Sequence, residues 1–256
     1  MITLSSDFGS PYPAAMRGVI CGRTDARLVD VAHDLPRQDV RAAAFWLTQT
    51  LPYFPPAVHC AVVDPGVGTD RAALVVRSGD HALVGPDNGV LLPVARELAA
   101  GDDTEPLELF EWVYDDPASS TFHGRDVFAP AAAAVHEAGV DAIGELSRAT
   151  VTDDYADLCF PDPTVEADHA AGEVLVVDDF GNAITNVPGD AVADAFGGTV
   201  AVDGESVPVR RAYAELGAGD RLITVGSHGN VELAVNRGRG DDAFGVTAGD
   251  GVELRW

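Results

Sequence analysis

The chain has 256 residues, 46% of them hydrophobic, enough for one large domain or two smaller ones with a real core. Its 41 acidic residues against 16 basic ones give a net charge of −25, and every basic residue is an arginine. Such a field repels nucleic acid and anionic lipid, and no apolar run approaches the ~20 residues that span a bilayer.

The acidic residues are dispersed, as in AAGDDTEPLELFEW and TVTDDYADL, rather than gathered in a tail. That fits a salt-adapted surface whose charge is screened at high ionic strength. The opening MITLSSDFGS has neither a basic n-region nor a cleavage pattern, so a soluble, cytoplasmic protein is expected. Cys21, Cys60 and Cys159 are odd in number and far apart, matching neither a zinc spacing nor a disulfide framework. Buried free thiols in a reducing compartment are expected, with Cys60 inside the apolar VHCAVV.

In chain order, MITLSSD reads as a strand, YPAAMRGVICGR as a helix, RLVDVAHDL as a strand and DVRAAAFWLTQTL as a helix. AVHCAVVD is a continuous β-branched apolar run bounded by turns, the mark of a buried strand. AALVVRSGDHALVGPDNG reads as two strands around a Ser-Gly-Asp turn. LLPVARELAA and DVFAPAAAAVHEAG read as helices, whereas residues 101–120 carry no informative pattern. This alternation predicts a mostly parallel α/β sandwich with helices on both faces.

The texture changes at the proline-rich, acidic CFPDPTVEAD. Beyond it, GEVLVVDDFGN, AITNV, TVAVDGESVPV, RLITVGSHGNVELAV and DGVELRW are short strands between Gly, Asp and Asn turns. They predict a smaller antiparallel barrel-like domain. The expected division is 1–166 and 167–256.

Asp7 ends the first strand and Asp64 ends the buried one. Both are expected at the carboxyl edge of the sheet, where open α/β sheets bind ligands, although either suits a turn or a helix cap. In TFHGRDVFAP, Asp126 opens the alanine-rich helix as a candidate N-cap, and Arg125 is a surface residue or an ion-pair partner. His123 beside Gly124 has three possible functions: metal ligand, general base or positioner of water. No second histidine or grouped carboxylate accompanies it, so no metal is expected. Walker, GxGxxG and GxSxG patterns are absent from the sequence.

Taken in order, SSDFG, YPAAMRGVI, LVDVAHDLPRQDVRAAAFWL, VVDPGVGTDR, LVGPDNGVL, TFHGRDVFAPAAA and DDFGNAITNV resemble the S-adenosyl-L-methionine hydroxide adenosyltransferases, relatives of the fluorinase and chlorinase enzymes. The resemblance covers essentially the whole chain. It implies an α/β domain followed by a β-barrel-like domain. It also implies a homotrimer, with the ligand held between the first domain of one subunit and the second domain of the next. The implied reaction is S-adenosyl-L-methionine plus water to adenosine plus L-methionine, with no cofactor.

By the same resemblance, Asp64, Arg71 and His123 form the catalytic triad, holding and polarising water behind C5′ of the ribose. Asp64 and His123 are expected to accept hydrogen bonds, with Arg71 as the cation that favours an anionic nucleophile. The leaving methionine is a neutral thioether and needs neither acid nor metal.

The resemblance further implies that Asp7 meets both ribose hydroxyls, with Phe8 beside it. Asp178, rivalled by Asp179, would hold the methionine ammonium and Asn182 an edge of adenine, with Phe180 between them. Ser227 is implied at the methionine carboxylate and Asn236 or Arg237 at adenine, although a plain hairpin turn explains these residues equally well. His33 is read as a loop buttress, and the short DFGSPYPAAMRG leaves Tyr12 without a clear role. In the halogenating relatives a tyrosine stands at the position of Asp64 and the histidine is replaced, so the intact triad favours water over halide. The alternatives are a halogenase making 5′-chloro-5′-deoxyadenosine and a binding protein that holds the ligand without turnover.

Overall fold

The computed structural model describes residues 1–100 and 106–256. The stretch 101–105, part of the segment left without an element above, lies outside the described residues. The chain forms two compact units, Met1–Cys159 and Phe160–Trp256.

The first unit runs β1 (Ile2–Ser6), α1 (Tyr12–Cys21), β2 (Leu28–Ala32), α2 (Val40–Thr50), β3 (Val58–Val62), β4 (Ala73–Ser78), β5 (His81–Pro86), α3 (Leu92–Ala99), β6 (Glu108–Trp112), α4 (Ala129–Ala138) and β7 (Ala149–Val151). Its seven-stranded sheet has the order β2-β1-β3-β5-β4-β6-β7. The strands β2, β1, β3 and β5 are parallel, and β4, β6 and β7 continue the sheet antiparallel. Strands β1 and β3 are buried along their whole length; β3 reads as the continuous apolar run, whereas β1 also buries the hydroxyls of Thr3, Ser5 and Ser6. The β4–β5 hairpin turns on Gly79, at φ +53°, and Asp80.

Helix α2 is capped by Asp39, whose carboxylate accepts from Ala42 N at 2.9 Å. In α4 the buried alanines 129, 131, 132 and 133 leave little bulk, so the helix lies close on β3 and β5. The core joins Ile2, Leu4, Val62, Val75 and Val84 of the sheet to Met16 and Ile20 of α1 and to Phe128. Each such side chain contributes roughly 1.5–3 kcal/mol through burial.

The second unit comprises β8 (Thr164–Val165), β9 (His169–Val177), β10 (Ala183–Pro188), β11 (Thr199–Val202), β12 (Glu205–Pro208), β13 (Arg221–Val225), β14 (Asn230–Val235), α5 (Gly240–Phe244) and β15 (Gly251–Arg255). The strands run β12-β11-β15-β9-β10-β14-β13, all antiparallel, with β8 added beside β9. A bridge between Val209 and Ile223 brings the chain after β12 back to β13 and nearly closes the barrel. Its own core holds Val174, Val200, Val207, Ile223, Leu233 and Leu254.

Three expectations change. Asp126 does not cap α4: it lies within a π-turn, Gly124–Phe128, and accepts from Arg125 Nε at 2.6 Å and Nη2 at 2.8 Å. Cys60 is buried, but Cys21 at the end of α1 and Cys159 at the edge of its unit are exposed. Neither sits in an apolar run like that around Cys60. Within the uninformative segment, ELFEW forms β6, whose short alternation was hidden by flanking acids. Among the described residues, no helix is long and apolar enough to cross a membrane.

Candidate active site

Strands β1 and β3 are parallel neighbours with Ser6 level with Val62, so Asp7 and Asp64 leave the sheet side by side at its carboxyl edge. Asp7 is buried, and its Oδ2 accepts from the backbone N of Gln38 at 2.7 Å. The loop after β2 is clasped to the end of β1 by two further contacts. Gly9 N donates to His33 O at 2.8 Å, and Ser6 Oγ lies 2.8 Å from His33 Nδ1. His33 Nε2 donates to Asp30 at 3.1 Å, so Nδ1 receives the serine proton and the histidine buttresses this loop.

The DPGVGT segment makes a tight loop in which Thr69 Oγ1 donates to Gly66 O at 2.7 Å. Gly68 has φ +80°, and a Cβ there would stand 2.6 Å from Ser120 O. Only glycine permits this approach, which brings the loop after β3 against the segment leading to His123.

Arg71, just before β4, closes the arrangement. Its Nε donates to Asp64 Oδ1 at 2.9 Å and its Nη2 to Asp64 Oδ2; the same Nη2 donates to His123 Nδ1 at 2.9 Å. Nη1 is held by Ala72 O at 3.1 Å, and the guanidinium lies over the Phe128 ring, 4.9 Å from its centroid. The Arg71 and Asp64 side chains are 9% and 4% exposed, and His123 is 4% exposed. An ion pair this buried is held by geometry and hydrogen bonds together.

A guanidinium has donors only, so His123 Nδ1 must accept and the neutral ring carries its hydrogen on Nε2. Burial, followed by the Arg71 charge, lowers the His123 pKa below 6.5 and keeps the ring neutral. The expected acceptor role of His123 therefore changes: its lone pair is taken by Arg71, and Nε2–H is left as a donor. The Tyr114 ring stands edge-on to His123 at 5.8 Å.

Phe8 and Tyr12 both meet Phe122 edge-to-face, at 5.8 and 5.5 Å. Gly124 lies beneath Phe8; a Cβ there would come within 2.8 Å of Phe8 Cε2 and 3.2 Å of Met16 Sδ. Tyr12, 56% exposed, completes this aromatic group at the start of α1.

In the second unit, Asn182 N and Nδ2 donate to the two oxygens of Asp178 at 2.8 and 2.9 Å. Asp178 is thus built into the β9–β10 loop, whereas Asp179 is exposed. Phe180 is 80% exposed at the loop tip. Gly181 packs on Arg239, 2.7 Å from its would-be Cβ to the arginine Cβ, and Gly181 O accepts from Asp241 N at 2.9 Å. The loop after β14, which carries Asn236 and Arg237, therefore adjoins the Phe180 loop. Asn236 Nδ2 donates to Leu216 O at 2.8 Å, and Arg237 is exposed with φ +58°.

Ser227 is exposed in the β13–β14 turn. Antiparallel pairing of Ala183 with Leu233 and of Pro188 with Asn230 puts that turn at the other end of β14 from Asp178 and Asn182. A set of residues absent from the sequence reading spans this interval. Tyr213 Oη receives from Asn182 Nδ2 at 3.4 Å and donates to Glu232 Oε2 at 2.7 Å; His228 Nε2 donates to Glu232 Oε1 at 3.0 Å. The available signal was a lone glutamate inside the apolar strand NVELAV.

Residues 2–144 match the family model for the SAM hydroxide adenosyltransferase N-terminal domain, and residues 172–253 match that for the C-terminal domain. The chain is 39% identical over 260 residues to the (R)-S-adenosyl-L-methionine hydrolase of Salinispora tropica, covering 99% of this chain and 97% of that one. It is 42% identical over 262 residues to the protein of the same name from Thermus thermophilus, covering 97% of each. A crystal structure of an uncharacterized conserved protein from Thermotoga maritima is similar, with a TM-score of 0.82, 31% identity and full coverage of both chains. The chain, with both of the family's domains in order, belongs to the SAM hydroxide adenosyltransferase family.

Proposed function

We propose that this protein hydrolyses (R)-S-adenosyl-L-methionine to adenosine and L-methionine. One observation carries the reading: Asp64 and Arg71 of the loop after β3 and His123, 52 residues beyond Arg71, meet through direct hydrogen bonds in a buried cluster at the carboxyl edge of the sheet. The relatives named (R)-S-adenosyl-L-methionine hydrolase, at 39–42% identity over nearly the full chain, support it.

In this reading a water oxygen attacks C5′ of the ribose as the C5′–S bond breaks, and that electron pair returns the sulfonium to a neutral thioether. The attacking oxygen loses one proton and keeps the other as the new 5′-hydroxyl. His123 Nε2–H donates to the oxygen and orients it behind C5′, Asp64 accepts the proton that the oxygen gives up as the C5′–O bond forms, and Arg71 holds both groups in register. Asp7 receives the ribose hydroxyls beside Phe8. Asp178 receives the ammonium, and Asn182, Phe180, Asn236 and Arg237 line the base.

The resemblance also supports a cytoplasmic homotrimer in which the second-unit residues reach the ligand from a neighbouring subunit. A net charge of −25 carried without a lysine supports work at high salt.

The test is chromatography of products after incubation with S-adenosyl-L-methionine in water enriched in oxygen-18. Equal amounts of adenosine and methionine, with label in adenosine, are expected. Tight retention without products would overturn hydrolysis in favour of binding alone. Chloride-dependent 5′-chloro-5′-deoxyadenosine would overturn it in favour of halogenation.

A further inference from the structure

The first unit holds a cavity of about 430 Å³ that none of the triad residues lines. The end of β6, one face of α4, Arg23 just past α1 and Arg148 just before β7 form its walls. Tyr114 belongs to that wall, and its ring stands edge-on to His123 at 5.8 Å. The volume falls in the range of small-molecule sites, which pair an apolar lining with a few placed polar groups.

The polar groups here are mostly donors without acceptors. Trp112 is 5% exposed and lines the cavity; its indole Nε1–H has no hydrogen-bond partner among the described residues, yet it is not sealed from solvent. The Tyr114 hydroxyl is likewise without a partner among the described residues. Arg23 donates to Val19 O at 3.3 Å and makes no ion pair among the described residues. Arg148 Nη2 meets Asp115 at 2.6 Å, but that carboxylate is 89% exposed, and such a surface pair is worth little and is readily exchanged. Of the two carboxylates in the lining, Asp126 is compensated by the fork of Arg125, and Glu137 makes no hydrogen bond among the described residues. In a chain of net charge −25, two guanidiniums and two ring donors on one cavity depart from the rest of the surface.

We propose that this cavity is a second small-molecule site, for a planar ring that bears hydrogen-bond acceptors and one anionic group, a carboxylate or a phosphate. Arg23 and Arg148 receive the anionic group, because guanidinium forks match both oxyanions. Trp112 Nε1–H and the Tyr114 hydroxyl donate to the ring acceptors, and Glu137 accepts from a hydroxyl or amine of the ligand. Aromatic carboxylates and nucleoside monophosphates share this chemistry. The site is distinct from the triad, although an occupant touching Tyr114 is one ring away from His123.

The experiment is calorimetric titration of the full-length protein with 4-hydroxybenzoate and, separately, with uridine 5′-monophosphate, in wild type, Arg23→Ala, Arg148→Ala and Trp112→Phe. Wild type is expected to bind one of the two saturably, and which one it binds identifies the source of the anion. Each arginine variant should weaken that probe by about tenfold or more, the worth of a hydrogen bond to a charged group. Both should keep the wild-type kcat for S-adenosyl-L-methionine, since neither residue belongs to the triad. Trp112→Phe retains a ring and loses the N–H, so it should weaken the probe severalfold. Saturating adenosine should leave the probe's affinity unchanged. Binding of neither probe overturns the proposal. Affinity that survives both arginine substitutions overturns it as well, because the probe then sits elsewhere. Full competition by adenosine places the probe in the triad's own site and overturns it too.

Discussion

Arg71 Nη2 donates to His123 Nδ1 at 2.9 Å and, together with Nε, also grips Asp64. One planar fork therefore sets the spacing of a carboxylate and an imidazole that lie 59 residues apart in sequence (123 − 64). A point charge cannot replace such a fork. Arg71→Lys should keep the positive charge yet lower kcat by about 10²-fold or more, with a small change in KM. Steady-state kinetics on the purified variant check this.

Removing the carboxylate is a different injury. Asp64→Asn leaves the Arg71 charge buried without its counter-ion, so it should cost about 3–5 kcal/mol of stability as well as turnover. Urea unfolding separates the two losses, because Arg71→Lys should destabilise less.

The working state of His123 is the neutral ring. Burial and the Arg71 charge place its folded pKa below 6.5, so protonation removes the acceptor at Nδ1 only below that pH. The acid limb of kcat/KM is expected to fall at a midpoint under 6.5. NMR titration of the ring provides the same midpoint independently. An acid limb above 6.5 that follows the ring would contradict the assignment.

Gly124 is the contact floor beneath Phe8. Gly124→Ala forces the ring or Met16 to move and should cost about 1–3 kcal/mol by overpacking. Combining it with Phe8→Leu should recover part of that cost, a non-additivity that a double-mutant cycle reads as coupling.

His59 of β3 is fully buried, with Nδ1 2.7 Å from Thr3 Oγ1 and Nε2 2.9 Å from His81 Nδ1. Burial, aided by His81, lowers its pKa to about 3. The unfolded chain binds this proton near 6.5, so the group's stabilisation is complete above 6.5 and is lost as pH falls toward 3. Unfolding free energy should decline in that window by up to about 1.4 kcal/mol per pH unit from this group alone. His59→Gln should flatten that slope.

The site was legible where strands carry it. Asp7 and Asp64 each follow a buried strand, and parallel pairing of those strands makes their ends neighbours. The triad spacing was legible through the resemblance, but the direction of its hydrogen bonds was not. That direction depends on which His123 nitrogen meets Arg71, which no spacing encodes. Tyr213, Glu232 and His228 were missed because they sit on a short turn, a strand and a hairpin whose meeting depends on barrel closure. Ser227 was placed from its turn alone, and only the β10–β14 register shows which end of the strand that turn occupies. Asp126 follows the N-cap pattern, yet Arg125 beside it claims the carboxylate.

Because Ser6 stands level with Val62, the segments bearing the two carboxylates both start from one rung of the sheet. A slip of one residue in that rung would point β1 side chains at the wrong face and scatter the constellation.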